Sequence, residues 1–274
     1  MKKLFFIAAL CGVLFSCSSK DEPTETHQVK FTVNGWNAVT EHMSPARKAP
    51  AVLNDGDGVL TDLYLYDGTT QLAHQVNTAE DFGTITVMLT AGSHNLHFIA
   101  TRSTGLAYDA GILSATSLRT TFGKTLALDV TGSSEENITL DRLTGKLFIT
   151  IEDKIPEGAS QLRIQVGNMY KSLNVQTLYG VSPVAFDQTV SISGKVNTSG
   201  NEWNLYTLAP DADGYETTFT LTATNGSGTT IGQATGTLTL APNSKTFLTG
   251  NLFSGTKSFI SLNTTWGPEI SVGF

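Results

Sequence analysis

Residues 59–66 read VLTDLYLY, and this stretch decides the class of fold. Successive side chains of a β-strand point to opposite faces, so a strand sorts these eight residues into two rows. One row holds Val59, Thr61, Leu63 and Leu65, and the other holds Leu60, Asp62, Tyr64 and Tyr66. The period of two predicts a β-strand.

Similar short runs continue along the chain, separated by turns rich in Gly, Asn, Pro and Asp. Strands are predicted at 29–33, 59–66, 82–89, 95–100, 125–130, 138–140, 146–151, 161–166, 190–192, 204–208, 217–224, 235–240 and 245–252. Asn34-Gly35 predicts a hairpin turn after the first strand. Residues 108–122 are the one stretch that favours a helix or a long loop. Short strands at this spacing, without alternating helices, favour β-sandwiches.

The length allows two such sandwiches. Removing an N-terminal leader of residues 1–16 leaves 258 of the 274 residues, enough for two domains of about 100–150 residues each. The predicted boundary falls near 141–145. The expected domains are therefore residues 28–141 and residues 142–274.

Composition and charge exclude one large class of partner. The chain has a net charge of −7, which becomes −9 without the two lysines of the leader. A field of this sign does not attract DNA, RNA or anionic lipid. The 26 glycines and the many Thr and Ser residues agree with β-structure.

The N-terminus predicts export and lipidation. Lys2 and Lys3 precede an apolar run that is too short to span a bilayer as a helix. The run ends at Leu14-Phe15-Ser16-Cys17, which resembles a bacterial lipobox. Acyl chains on Cys17 would hold the protein in the membrane so strongly that the attachment is effectively permanent. Residues 17–27 would form the lipidated tether, and its serine and acidic residues favour display on the cell surface over a plain linker.

No catalytic or cofactor motif stands out, so the sequence predicts neither an enzyme nor a cofactor. His94 and His97 lie three positions apart, which places them on opposite faces of a strand, so no metal site is predicted. A hydrolase with an unrecognised carboxylate pair stays open. Trp36, Trp203 and Trp266 are candidates for stacking on sugars, although core positions are the more common role of such residues.

Four further segments carry a resemblance to a known family. They are residues 60–66 (LTDLYLY), 89–98 (LTAGSHNLHF), 138–147 (ITLDRLTGKL) and 243–253 (NSKTFLTGNLF). Together with the leader that ends at Cys17, they resemble the fimbrillin superfamily of Bacteroidetes. That family comprises pilins and their anchor and accessory subunits. The similar segments span most of the mature chain.

The resemblance implies an all-β fold of two transthyretin-like (Greek-key) β-sandwich domains in tandem. It also implies a subunit or anchor of cell-surface fimbriae, carried as an outer-membrane lipoprotein. An arginine-specific protease would cut between Arg47 and Lys48 and release the first strand. The removable strand would hold Val29, Phe31, Val33 and Trp36, and a neighbouring subunit would fill the groove.

The donor strand would be C-terminal. It would lie either around residues 260–262 or over residues 269–274, where Ile270, Val272 and Phe274 alternate. The alternating segment would serve equally well as a strand of its own domain. The partners implied are other pilus subunits, the outer membrane and surface ligands of host or bacterial cells. Anchor, stalk and tip positions stay open, and a glycan-binding lipoprotein for nutrient uptake is the alternative function.

Overall fold

The computed structural model describes residues 25–36, 58–255 and 259–266. Within these ranges the chain is all-β, and its one helical element is a short 3-10 turn at Ser193–Lys195. The all-β prediction is therefore confirmed. No helix of the described ranges has the length and apolarity needed to cross a membrane.

The strands of the first half are β1 (Thr26–Trp36), β2 (Asp62–Asp67), β3 (Thr70–Val76), β4 (Thr84–Thr90), β5 (Gly92–Thr101), β6 (Thr104–Asp109), β7 (Ile112–Ser117), β8 (Thr121–Val130) and β9 (Ser134–Arg142). Those of the second half are β10 (Gly145–Ile151), β11 (Ala159–Met169), β12 (Ser172–Asn174), β13 (Gly180–Val181), β14 (Val184–Ser191), β15 (Asn201–Thr207), β16 (Tyr215–Asn225), β17 (Thr230–Leu240), β18 (Ser244–Gly250) and β19 (Phe259–Thr265).

The first half forms a sandwich. Its sheet has the order β3-β2-β5-β8-β9-β1-β4, but β8 and β9 pair through only two residue pairs. The sheet therefore divides into a β3-β2-β5-β8 layer and a β9-β1-β4 layer. Apolar side chains of both layers share one core, and the rings of Phe31 on β1 and Phe98 on β5 meet edge to face at 5.1 Å.

The predicted alternation is confirmed for residues 62–66, which lie in β2 and are covered on both faces. Leu60 precedes this strand and packs in the same core as Leu63 and Leu65, so its predicted place in the row of Tyr64 and Tyr66 is wrong. Leu63 and Leu65 belong to the sandwich core. Tyr64 and Tyr66 point to the opposite side, into a second apolar cluster. A strand covered on both faces keeps an apolar row on each, which is why alternate positions carry Leu and Tyr.

The second half forms another sandwich. One layer has the order β15-β10-β18-β19 and the other β14-β11-β16-β17. Inward residues of β10, such as Leu147 and Ile149, pack against Leu162 and Ile164 of β11 and Leu221 of β16 in a separate core. The buried positions alternate along each of these strands, as the period of two requires.

A third sheet, absent from the sequence prediction, connects the two halves. It has the order β13-β12-β7-β6, so a hairpin of the first half pairs with strands of the second. The prediction of a helix or long loop at residues 108–122 is therefore wrong. Ala110 and Gly111 both have positive φ and make the tight turn between β6 and β7.

The predicted hairpin at Asn34-Gly35 is also wrong. β1 continues through these residues to Trp36, and the register shifts between Val33 and Trp36. An irregularity of this kind takes extra residues into a strand without reversing the chain. Pairing of β1 with β9 therefore overrides the local preference of Asn-Gly for a turn.

Asp153 fixes the loop that leads from β18 toward β19. Its carboxylate accepts backbone hydrogen bonds from Leu252 at 3.0 Å and from Phe253 and Ser254 at 2.7 Å each. Backbone groups in such a loop need partners, and a charged acceptor binds them more strongly than a neutral one. Asp153 therefore stabilises the loop that leads to β19, the last of the described strands.

We expect Asp153→Asn to lower the free energy of unfolding by about 1–3 kcal/mol, because an amide replaces a charged acceptor. Urea denaturation measures this loss. The neighbouring exposed Glu152 provides the control, since Glu152→Gln changes the same charge without touching the loop amides. Equal effects of the two variants would show that net charge, not the loop contacts, is responsible.

Candidate functional site

Strand β1 is the central strand of its layer. It pairs in antiparallel register with β4, from Thr26 opposite Thr90 to Thr32 opposite Thr84. On its other side it pairs in parallel with β9, from Val29 opposite Ser134 to Trp36 opposite Leu140. Both edges of β1 are therefore occupied by backbone hydrogen bonds.

The predicted removable strand carries core side chains. Val29 and Phe31 are fully buried, and Val33 is nearly so. They contribute to the core between the layers, and burial of such a side chain is worth about 1.5–3 kcal/mol. Trp36 lies at the end of the strand, where its backbone pairs with Leu140.

Loss of β1 would leave a defined slot. β4 and β9 would face each other across two strand spacings, about 10 Å. Each would present an unpaired backbone edge, Phe98 of the facing layer would lie at the apolar floor, and Ile85 of β4 and Leu140 of β9 would flank it. A slot of this kind fits an extended peptide with alternating apolar side chains.

Several predicted site residues lie outside the described residues. Arg47 and Lys48 belong to residues 37–57, which link β1 to the rest of the chain. Cys17 and the donor residues Ile270, Val272 and Phe274 also lie outside them. The other predicted donor, residues 260–262, lies in β19, which pairs with β18 of the same chain at the edge of a sheet.

The two histidines of β5 lie on opposite faces, as the strand spacing predicts. The His94 ring bonds through Nδ1 to Asp67 at 2.6 Å and through Nε2 to the Thr90 carbonyl at 2.9 Å. His97 is fully buried on the side of the third sheet, where Nδ1 lies 3.0 Å from Thr125 Oγ1. In the described part of the chain, no group of three or more His, Cys, Asp or Glu side chains is arranged to hold a metal ion.

The environments of these histidines shift their pKa values in opposite directions. Hydrogen bonds to Asp67 and to Thr90 raise the pKa of His94 above its usual 6.5. Burial lowers the pKa of His97, and the nearby charge of Asp67 opposes this shift only in part. The folded state therefore resists protonation of His97 more than the unfolded state does. As a result, the free energy of unfolding falls as the pH drops below 6.5 toward the lowered pKa of His97.

We expect the two histidines to have opposite effects on the pH dependence of stability. His97→Gln should reduce the loss of stability between about pH 8 and about pH 5, because no buried imidazole then resists protonation. His94→Gln should increase that loss, since protonated His94 gains its Asp67 partner at low pH. Urea denaturation at both pH values measures this, and like-signed changes in the two variants would contradict the assignment.

Two of the three tryptophans occupy packed positions. Trp203 packs against the second core, and Trp266 packs against the cluster between the halves. The large apolar side chains that are exposed in the described ranges include Met88, Ile260 and Leu262 but neither of these tryptophans. The packed positions of Trp203 and Trp266 weaken the glycan-platform alternative.

Sequence reasoning missed three parts of this site: the parallel pairing of β1 with β9, the strand β3 and the sheet that joins the halves. The alternation of a strand shows which of its side chains share a face, but not which strand lies beside it. The sequence therefore contains no local signal for the pairing of β1 with β9. For the β6–β7 hairpin, Asp109-Ala110-Gly111 was an available turn signal.

The fold of this chain is similar to the folds of several solved structures. No protein-family model matches the sequence, and no curated protein matches it either. Solved structures do match. The fimbrial anchor protein Mfa2 from Porphyromonas gingivalis superposes with a TM-score of 0.54 at 13% identity, over 88% of this chain and 98% of that one.

Two further structures match at a TM-score of 0.50. A Bacteroides ovatus protein assigned as an adhesin is 10% identical over 83% of this chain and 88% of its own. A Bacteroides thetaiotaomicron protein assigned to polysaccharide binding is 11% identical over 88% of this chain and 96% of its own. This chain therefore shares the overall β-sandwich fold of these fimbrial and adhesin structures over 83–88% of its length.

Proposed function

We propose that this protein is a cell-surface fimbrial subunit or anchor that acts in fimbria assembly and adhesion by adding β-strands between subunits. The position of β1 carries this proposal. Strand β1 is joined to the rest of the chain through residues 37–57, so a cut there would separate it, and β4 and β9, which both pair with β1, would then each offer a free edge to an incoming strand. The fold of the fimbrial anchor Mfa2 supports the same proposal.

The incoming strand would restore what β1 provides. It would pair with both β4 and β9 and place apolar side chains where Val29, Phe31 and Val33 lie. The segment with Ile270, Val272 and Phe274 alternates in the required way. Exchange of this segment for β1 would leave the numbers of backbone hydrogen bonds and buried apolar side chains about the same, because one strand replaces another in the same slot.

Processing at Arg47 decides between two roles. A cut after Arg47 would separate β1 and the lipid from the remainder, which would then begin at Lys48 and act as a stalk or tip subunit. Without that cut the chain keeps its lipid on Cys17 and acts as an anchor. We further propose the domain division at residues 28–141 and 142–274, which falls between the last two residues of β9, shortly before β10 begins.

We expect the protein isolated from native fimbriae to begin at Lys48 if it is a stalk or tip subunit. Arg47→Ala should then leave the N-terminus at an acylated Cys17 and keep the chain out of its stalk or tip position in the fibre. Lys48→Ala is the matched control, because an arginine-specific protease reads the residue before the cut. Intact mass and N-terminal analysis measure both, and an acylated Cys17 in the unmodified protein would assign the anchor role instead.

Immunogold labelling of the native bacterium tests the function itself. An antibody against this chain should label surface fibres along their length, at their tip or at their base, and peptides of a stalk or tip subunit should appear in sheared, purified fibres. A surface label without any association with fibres, combined with loss of glycan uptake as the only deletion phenotype, would favour the nutrient-binding lipoprotein.

A further inference from the structure

Strand β4 would lose its strand partner if β1 left. Among the described strands β4 pairs with β1 alone, along its whole length, whereas β9 also pairs with β8. Ile85 and Leu89 of β4 would stay in the core between the layers. Because the hydrophobic effect has no direction, these contacts alone do not fix the position of a backbone edge. The slot therefore keeps β4 as a wall only if groups other than β1 hold this strand.

A glutamine of the facing layer binds the start of β4. The side chain of Gln75, on β3, accepts a hydrogen bond from the backbone N–H of Gly83 at 3.1 Å and donates one from Nε2 to the Thr84 carbonyl at 2.7 Å. A carboxamide that both donates and accepts pairs with a backbone much as a neighbouring strand does. Gln75 therefore ties the start of β4 to the facing layer, and neither bond involves β1.

A histidine of the facing layer binds the end of β4. In the ring of His94, on β5, Nε2 lies 2.9 Å from the Thr90 carbonyl and Nδ1 lies 2.6 Å from the carboxylate of Asp67, on β2. Both of these oxygen atoms can only accept, so both hydrogen bonds form only when the ring is protonated. The same two bonds raise the pKa of His94. This contact with β4 is therefore present at low pH and weakens as the pH rises through the raised pKa.

Asp67 is the charged group that acts on His94. Its other carboxylate oxygen accepts a hydrogen bond from the backbone N–H of the residue after His94, which fixes the carboxylate beside the ring. On β8, Asp129 bonds instead to the hydroxyl of the serine before His94. At the start of β1, His27 pairs with Glu25 at 3.5 Å, and β4 itself contains no charged residue.

We propose that Gln75 and His94 are positioning residues that hold β4 on the facing layer independently of β1, so that β4 stays in place as a wall of the slot when β1 leaves. The role in strand exchange rests on the proposed function, although the attachment of β4 does not. An incoming strand then meets a backbone edge that is already ordered, and preorganisation of this kind lowers the entropic cost of binding. Because His94 must be protonated to contribute, the slot is held best at low pH.

Residue-resolved hydrogen exchange of the uncut full chain tests this attachment. Amides in the ladder between β1 and β4 exchange when β4 leaves, whereas those in the ladder between β1 and β9 are insensitive to its departure. We expect Gln75→Ala to speed exchange in the β1–β4 ladder about five- to thirtyfold, the effect of losing two hydrogen bonds, and to leave the β1–β9 ladder nearly unchanged. Gln71→Ala is the matched control, because Gln71 is exposed on the same strand. It should change neither ladder.

The pH dependence of exchange tests the part played by His94. After correction for intrinsic exchange rates, His94→Ala should speed exchange in the β1–β4 ladder more at about pH 5.5 than at about pH 8. An equal effect at both pH values would overturn the proposal. Equal acceleration of both ladders by Gln75→Ala would also overturn it, since that pattern shows a general loss of stability, and so would an unchanged β1–β4 ladder. Entry of the chain into fimbriae is decided separately, by the labelling of fibres.

Discussion

Phe31→Ala should lower the free energy of unfolding of the first sandwich by about 3–5 kcal/mol. Phe31 is fully buried at the centre of β1, and its ring meets Phe98 of the facing layer. Truncation removes the buried ring and leaves a cavity that neighbouring strands close only in part. Urea denaturation followed by circular dichroism measures the change.

Lys30→Ala is the matched control for Phe31→Ala. Lys30 is the neighbouring residue on the same strand, but it points outward and pairs with Glu135 at 3.2 Å across an exposed surface. Exposed pairs of this kind are worth about 0–1 kcal/mol. A cost for Phe31→Ala no larger than that of Lys30→Ala would show that β1 does not hold the core together.

The second large effect is expected at Cys17. If Cys17 is acylated before the leader is removed, as the lipobox resemblance implies, Cys17→Ser should yield a chain that has no acyl groups, retains residues 1–16 and is missing from the outer membrane. Lipid chains supply about 0.8 kcal/mol per buried methylene group, so their loss removes the whole anchor. Intact mass and membrane fractionation measure this outcome.

Cys11→Ala is the control for Cys17→Ser, because Cys11 lies inside the predicted leader and would be removed with it. It should be acylated, trimmed and sorted like the native chain. If Cys17→Ser is trimmed and reaches the cell surface in the same way, the leader is an ordinary secretory signal and the lipid anchor is wrong.

The sequence predicts the faces of the strands well and their neighbours poorly. The alternation in residues 59–66 correctly places Leu63 and Leu65 in one core and Tyr64 and Tyr66 on the other side. Burial imposes this pattern residue by residue, so a single sequence records it. The pairing of Val29 with Ser134 connects residues that are far apart in the chain, and no local pattern encodes it.

Turn signals fail where tertiary pairing is stronger. Asn34-Gly35 favours a hairpin locally, yet β1 continues past it to Trp36, whose backbone pairs with Leu140 of β9. The β6–β7 hairpin shows the reverse, since its Ala110-Gly111 turn has positive φ at a non-glycine residue and gives only a weak signal. The sequence predicts that residues 29–33 form a strand, but only the structure shows that this strand lies between β4 and β9.

The central claim is that this chain joins its neighbours in a surface fibre through an exchanged strand. Cross-linking mass spectrometry of intact, purified native fimbriae tests it most directly. We expect cross-links between subunits that join a donor segment to β4 or β9 of the acceptor, with this chain as donor, acceptor or both. Fibres that lack this chain, or cross-links that never join it to another subunit, would contradict the claim.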